Sequence, residues 1–529
     1  AEAHNNLGIT LQEIGRLDNA LTSATRAIAS NPEFSDAYRT LGAILKNARF
    51  EAPNTKIYGP LIQMLSNGSF VRPSEVASSI LSLLKLDPVI HDLLAEDSFD
   101  PSLAKVSSVI GALDDIELLH RLMRLCPLPD LQFEEFFLTL RRLLLINLDK
   151  VMSSPELINF LSTLSLHCFI NEFVYFECEE EISILRELEN DIEETLEKSG
   201  QPNVIKILCF ACYRPLHRYD WCKELNVLDH LEEVKSRLIE EPLREMDLAQ
   251  SLPSLGRITD RVSREVQRQY EENPYPRWVE LATHQRGKTI SEVCIDLSLD
   301  SNRRAIESAL APDILIAGCG TGQHSIETAS RYSGCSVTAV DLSLASLAYA
   351  KRKSLELGFT NINYLQADIL DIHELKREFD IIESVGVLHH MSDPMAGWRH
   401  LADHLRPGGL MRIGIYSELA RENIVLVREE IATRRVGNSE TDIRNFRQSV
   451  IESRNENHDL VTKWVDFFSL SMLRDLIFHV QEHRFTLPQI DECLETLGLK
   501  FCGFESGEII ADFRRFHGEE ANIFDLGLW

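Results

Sequence analysis

Three patterns of apolar and polar positions follow one another along the chain, and each predicts a different structure. In the first stretch Ala3, Leu7, Gly8 and Leu11 recur as Ala37, Leu41, Gly42 and Leu45, at an offset of 34 residues each time. Gly15, Ala20, Ala27 and Pro32 lie between them. This spacing predicts helix–turn–helix units in which Gly8 admits a close neighbour, Ala20 and Ala27 are small where helices cross, and Pro32 opens the turn to the next unit. From about 72 to 253, glycines are few and strand alternation is missing. Ile80, Leu83 and Leu84, then Leu118, Leu119, Leu122 and Leu125, then Leu138, Leu140, Leu143 and Leu144 recur at helical spacing. Pro127 and Pro129 break the pattern, and the acidic run 179–197 reads as a solvated helix face.

The last pattern alternates short apolar strands with helical stretches. Strands are expected at 314–317, 336–340, 362–365, 379–384 and 410–416, with helices over 323–332 and up to about 357. Two further strands are expected at 500–506 and 509–513, close enough to form a hairpin. The fold class is therefore α/β at the C-terminus, a doubly wound Rossmann-like sheet preceded by an all-α domain. The expected divisions are a repeat at 1–48, a helical domain at 49–250 and the α/β domain at 251–529. The last has a lid at 270–278 and an insertion at 418–498.

Composition changes this picture little. A chain of 529 residues exceeds one hydrophobic core. With 54 Lys and Arg against 82 Asp and Glu, a net charge of −28 argues against nucleic acid as partner. Eleven scattered cysteines point to a reducing compartment, and the cytoplasm is expected. The richest apolar run, 136–148, is interrupted by Arg141 and Arg142, so no membrane span is expected. No basic-plus-apolar leader is visible in the stretch given, and an opening Ala1 in place of Met leads us to expect further repeats upstream. Oligomeric state is not legible.

The chemistry concentrates in the α/β part. The first strand runs into Gly318-Cys319-Gly320-Thr321-Gly322, so a ligand is expected against the backbone at the carboxyl ends of the strands. A dinucleotide site wants G-x-G-x-x-G, yet Gln323 stands where its third glycine would be. Asp341 ends the second strand and suits a ribose diol; Asp368 follows the third and suits an adenine amino group. The fourth strand leads into Val387-Leu388-His389-His390-Met391.

In this order and at these separations, residues 313–416 resemble a class I S-adenosylmethionine-dependent methyltransferase. With the repeat, the helical region and the stretch Asn273-Pro274-Tyr275-Pro276-Arg277-Trp278, the chain resembles bacterial methyltransferases carrying tetratricopeptide repeats. The resemblance implies S-adenosylmethionine as cofactor, a sheet ending in an antiparallel hairpin, and methyl transfer as the reaction. It implies cofactor contacts from Gly318, Gly320, Gly322, Asp341, Leu342, Asp368, Ile369 and Glu383, with Tyr275 and Arg277 reaching in from the lid. The family often places an acidic residue two positions before the first loop glycine. Here Leu315, Ile316 and Ala317 supply none, and Arg277 is expected to pair the cofactor carboxylate instead.

Methyl transfer needs alignment, exclusion of water and, for a protonated nucleophile, a base. His389, His390 and Tyr416 are the catalytic candidates, with a capping or core role as the alternative for each histidine. His479, Glu482 and His483 match H-x-x-E-H; on a helix the two histidines would share a face. Inside a methyltransferase insertion they read as acceptor-pocket or packing residues, and no metal is expected. Cys209, Cys212, His217 and Cys222 have zinc-knuckle spacing, but their apolar flanks read as a packed helix. The expected acceptor is a protein or peptide docked on the helical region. A small molecule or glycan acceptor, and a non-catalytic scaffold, are the alternatives.

Overall fold

A computed structural model describes residues 1–68, 70–95 and 103–529 and resolves them into two compact units. The first comprises Ala1–Leu243, Arg277–Ala282 and Arg435–Leu476; the second comprises Arg244–Pro276, Thr283–Arg434 and Ile477–Trp529.

The first unit is helical throughout its described residues. Helices α1 (Glu2–Glu13) and α2 (Leu17–Ser30) form a hairpin whose crossing is lined by the fully buried Ala20, Ala24 and Ala27. A Cβ on Gly8 would lie 3.5 Å from the Ala20 carbonyl, so this position sits in close van der Waals contact with α2. In α3 (Ser35–Leu45), the counterpart Gly42 faces Val71 instead, 3.1 Å from where its Cβ would be. That contact, with α4 (Tyr58–Ser66) and α5 (Pro73–Leu84), carries the N-terminal helices into the helical unit without a break at residue 48.

The centre of this unit is built on the helices Leu131–Ile146, Pro155–Ile170 and Val204–Ala211. Arg141, which interrupts the apolar run, is 1% exposed. Its guanidinium donates to the carbonyls of Cys212 and Phe176 and lies 3.9 Å over the Tyr213 ring, so it finds polar partners where an aliphatic side chain would otherwise sit. Cys209 is buried on the same short helix whose end is Cys212, and the Cys212 thiol donates to the Leu208 carbonyl. The first two positions of the knuckle spacing are thus helical. Burial pushes His217 down to about 4.

Residues 435–476 of the expected insertion belong to this helical unit. Arg447 makes a two-pronged ion pair with Glu134, and Glu172 accepts from the Ser469 hydroxyl and the Ser471 amide.

The second unit is the expected α/β fold. Strands β1 (Asp313–Ala317), β2 (Ser336–Asp341), β3 (Ile362–Gln366), β4 (Phe379–Val385) and β5 (Leu405–Gly414) lie in the order β3-β2-β1-β4-β5, all parallel. Ile314 pairs with Val337 on one side and Ile381 on the other, so the strand order reverses about β1. Ligands bind at such a switch point. Leu315, Ala317, Val340, Ile382, Trp398 and Leu401 form the core beside it. The 405–409 segment, expected as a turn, lies within β5 at a register irregularity, held by Arg406 to Asp380 and Asp313.

Two expectations are corrected. The sheet of the described residues ends at β5: 500–506 carries no strand, and 509–513 lies in the helix Gly507–His517. Ser506 caps that helix by accepting from the Ile509 amide, and Phe513 stacks on Trp529 at 4.3 Å. An N-cap serine and helical spacing outweigh β-propensity here. The H-x-x-E-H stretch is not helical either; the preceding helix, Leu470–Ile477, stops before His479. Among the described residues no helix is long and apolar enough to cross a membrane, and all eleven cysteines are free thiols.

Candidate active site

The site begins where β1 leaves the sheet. Gly318, Gly320 and Gly322 have φ of +80°, +51° and +87°, a region that costs side-chain-bearing residues about 1–2 kcal/mol. A Cβ on Gly318 would fall 2.2 Å from Val387 Cγ2, and one on Gly322 2.6 Å from Ala350 Cβ. The loop can pass only as glycine. The amides of Gly318 and Cys319 donate to the Val340 carbonyl at 2.8 and 3.0 Å, pinning the loop to the end of β2.

Asp341 stands at that end. One of its oxygens accepts from the Gly320 amide at 2.8 Å, the other from the Ser343 amide at 2.9 Å. Burial raises its pKa, and these two amides oppose the rise. Each oxygen retains a lone pair for a ligand hydroxyl. Asp368 is buried and caps the turn Ile369–Leu375 through the Leu370 amide. Burial raises its pKa too, and Ser263 opposes the shift. Leu342 offers its carbonyl to Gln366 Nε2, and Ile369 is buried at the start of the turn.

The lid is fastened to these loops by its backbone. Thr321 donates its amide to the Tyr275 carbonyl at 3.3 Å and its hydroxyl to the Pro276 carbonyl. The helix Arg261–Glu272 leads into the lid and contributes two residues that sequence reasoning missed. The Glu271 carboxylate accepts from the amides of Leu344 and Ala345, covering the N-terminus of the helix Leu344–Glu356. The Tyr270 carbonyl accepts from the Ser343 hydroxyl at 3.1 Å. The glutamate's place opposite a helix N-terminus is set by tertiary packing, so no local signal marked it.

Two cofactor expectations are corrected. Arg277 lies in the helical unit, its guanidinium 4.3 Å over the Phe169 ring, where its charge lowers the pKa of the buried Glu172. A buried carboxylate and an aromatic face engage this cation. Glu383 is turned away from the glycine loop's ligand face. It is 1% exposed, 2.6 Å from His324 Nε2, and accepts from the Thr328 hydroxyl.

Burial pushes Glu383 up, but His324, Arg412 and Thr328 outweigh it and hold the carboxyl at about 2. A depressed carboxylate stabilises the fold above its unfolded pKa and loses that contribution as pH falls toward the folded one. Between about pH 4.5 and 2 the unit is expected to lose about 3 kcal/mol from this group. Acid titration of thermal stability should show the loss, and Glu383→Gln should flatten it.

Beyond β4 the structure brings together all six residues expected in catalysis and the acceptor pocket. The His389 ring packs 3.8 Å from Tyr416 and 4.2 Å from His390, and His390 stacks on His479 at 3.5 Å. Tyr270 extends the row, 6.0 Å from His479 and 6.2 Å from Tyr275. The His483 amide donates to the His389 carbonyl, and Gln481 Nε2 is 3.1 Å from His483 Nε2. His390 Nδ1 and His479 Nδ1 both meet the Gln481 carbonyl, at 2.7 and 2.8 Å. Glu482 pairs with Arg421, whose guanidinium lies 4.0 Å over the Tyr416 ring.

His389 is fully buried, and neither of its ring nitrogens has a hydrogen-bond partner among the described residues. Val387, two residues before it, is the side chain that presses on Gly318. Burial first, then the charges of His390, Arg421 and His483, hold His389 down to about 2; burial also pushes His479 well below its ordinary value. Both imidazoles are neutral at physiological pH. His389 can donate or accept a hydrogen bond but is a weak proton acceptor.

Over residues 314–409 the sequence matches the methyltransferase domain family. This segment is a methyltransferase domain. Its cofactor is S-adenosylmethionine, which supplies a methyl group on a sulfonium. The residues present fit it: a loop open only to glycine for the methionine tail, Asp341 with spare lone pairs for the ribose, and Asp368 for the adenine.

An uncharacterised protein of Synechococcus sp. is 33% identical over 202 residues, covering 36% of this chain and 48% of that one. A malonyl-[acyl-carrier protein] O-methyltransferase of Paenibacillus sp. is 34% identical over 109 residues, 20% of this chain and 40% of that one. The chain thus spans about half or less of the length of these curated relatives. The solved structure of PKMT2 from Rickettsia typhi in complex with AdoHcy aligns with a TM-score of 0.35 at 15% identity, over 46% of this chain and 51% of that one.

Proposed function

We propose that the whole chain is an S-adenosylmethionine-dependent methyltransferase of the cytoplasm, acting on a protein or peptide held by the helical region. The observation that carries the methyl-transfer reading is the Asp341 carboxylate, held by the Gly320 and Ser343 amides at the mouth of the glycine loop. Leu7, Ile9 and Ile14 on and beside the first helix are exposed apolar residues, as a peptide-docking face or a continuing repeat array requires. The tetratricopeptide reading of 1–48 rests on the 34-residue offset. Exclusion of nucleic acid rests on the net charge of −28.

A second reading, a small-molecule acceptor, draws support from the burial of His389, His390 and His479. Enclosure suits a small ligand or one inserted side chain.

Calorimetry with S-adenosylhomocysteine tests the first claim. Binding is expected for the intact chain, and Asp341→Ala is expected to weaken it about a hundredfold, the worth of roughly 2–3 kcal/mol of charge-assisted hydrogen bonds. Equal binding by the variant would defeat the assignment. Incubation of the chain with a lysate and methyl-tritiated cofactor then separates the acceptors. Label in acid-precipitated protein supports the first reading, and label in the acid-soluble fraction the second.

A further inference from the structure

Beside the histidine row, one buried carboxylate faces three guanidinium groups. The Glu482 side chain is 1% exposed, with Arg421 Nη2 at 2.5 Å, Arg484 Nη1 at 3.6 Å and Arg428 Nη1 at 4.0 Å. Arg421 and Arg428 are themselves largely buried, and Arg484 is about one-third exposed. Three cations against one anion leave this corner of the α/β unit about two charges positive, within a chain whose total is −28. The excess adjoins the reacting end of the site through Arg421, which covers the Tyr416 ring that packs on His389.

The charged and titratable groups acting on His389 are His390, Arg421 and His483, all of them bases. Among the described residues, no carboxylate acts on His389 to strengthen it as a proton acceptor, as a neutral amine or hydroxyl acceptor would require. A nucleophile that arrives already ionised needs no base. Among common biological nucleophiles, phenols, thiols and ammonium groups hold their protons at neutral pH, whereas a carboxylic acid has lost its own.

We propose that the acceptor is a carboxylate, drawn in by the arginine excess around Glu482 and converted to its methyl ester. This rests on the methyl-transfer reading of the same site. The carboxylate oxygen forms the new O–CH3 bond as the S–CH3 bond breaks. The electron pair of that bond returns to sulfur, the sulfonium becomes a thioether, and no proton moves. His389 is then a positioning residue, its ring a neutral hydrogen-bonding surface. The same chemistry could come from a free organic acid or from an acidic side chain of a protein.

Ester chemistry gives a direct test, because methyl esters release methanol in mild alkali whereas methyl groups on nitrogen, sulfur or carbon stay. The intact chain is incubated with methyl-tritiated cofactor and, separately, a panel of aliphatic and aromatic carboxylic acids and a lysate protein fraction. Alkali-volatile label from the acids supports the proposal with a small acceptor, and from the protein fraction with a protein acceptor. Alkali-stable label, or no label while S-adenosylhomocysteine binds, overturns it. Absence of S-adenosylhomocysteine binding defeats the underlying methyl-transfer reading instead.

An independent readout is saturation-transfer NMR on the S-adenosylhomocysteine complex. The acids are expected to show contacts that their primary amides lack. Arg484→Gln is expected to raise the KM for the acid at least tenfold with cofactor affinity unchanged, and Arg484→Lys to restore most of it. Equal binding of acids and amides overturns the proposal.

Discussion

Replacing Arg447 by methionine is expected to destabilise the helical unit by about 3–5 kcal/mol, the cost of leaving a buried carboxylate without its cation. Arg447 is 1% exposed and Glu134 4%. The pair is joined by two hydrogen bonds of 2.5 and 2.6 Å, the Arg447 Nε donates to the Phe467 carbonyl, and the guanidinium lies 4.4 Å over the Phe467 ring. A methionine keeps much of the packing and removes every one of these partners. Because the chain has two units, a single unfolding free energy is not the right readout. Hydrogen exchange of the helix Glu440–Ile451 is: its protection should fall on the order of 10²–10³-fold. Glu134→Leu added to Arg447→Met should recover most of the loss, since an apolar pair replaces a buried ion pair at little cost. Unchanged protection in the single variant would show that the pair does not hold residues 435–476 in place.

Gly318→Ala is expected to abolish cofactor binding, with S-adenosylhomocysteine affinity falling at least about a hundredfold. Its φ of +80° is strained for alanine, and its Cβ would lie 2.2 and 2.8 Å from the two γ carbons of Val387. Neither neighbour can yield easily: Val387 is two residues from the His389 cluster, and the Gly318 amide is tied to Val340. Adding Val387→Ala should remove the γ-carbon overlap and leave the left-handed strain of about 1–2 kcal/mol, giving partial recovery. Gly358→Ala is the control. That glycine has φ +78°, and among the described residues no atom lies within 4 Å of where its Cβ would be, so it should lose a little stability and no affinity. Calorimetry on the three variants separates steric overlap from backbone strain.

Much of the α/β unit is legible in the sequence because its signals are local. A buried parallel strand is a short apolar run, and a strand-to-helix turn against a ligand needs glycine. All five parallel strands fall at or near their expected positions, and Asp341 and Asp368 stand at the ends of β2 and β3. The expected C-terminal hairpin fails for the same reason. Residues 509–513 are as apolar as a strand, and only the Ser506 cap and the stacking of Phe513 on Trp529 select a helix. The insertion fails differently: nothing within 435–476 says which unit it joins, because Arg447 and Glu134 are 313 positions apart. Arg277 follows the lid directly, yet Phe169 and Glu172 decide its place.

The sequence by itself determined the elements of the α/β unit, their α/β alternation, and the residue types at the cofactor loop, because periodicity and backbone freedom are properties of neighbours in the chain. Only the tertiary structure decided that His389, His390, Tyr416, His479, Glu482 and His483 share one site, that Glu383 serves His324 and Thr328, and that Glu482 stands among three arginines. Charge balance and burial arise where distant segments meet, and it is burial that removes water, neutralises the imidazoles and makes an excess of guanidinium charge consequential.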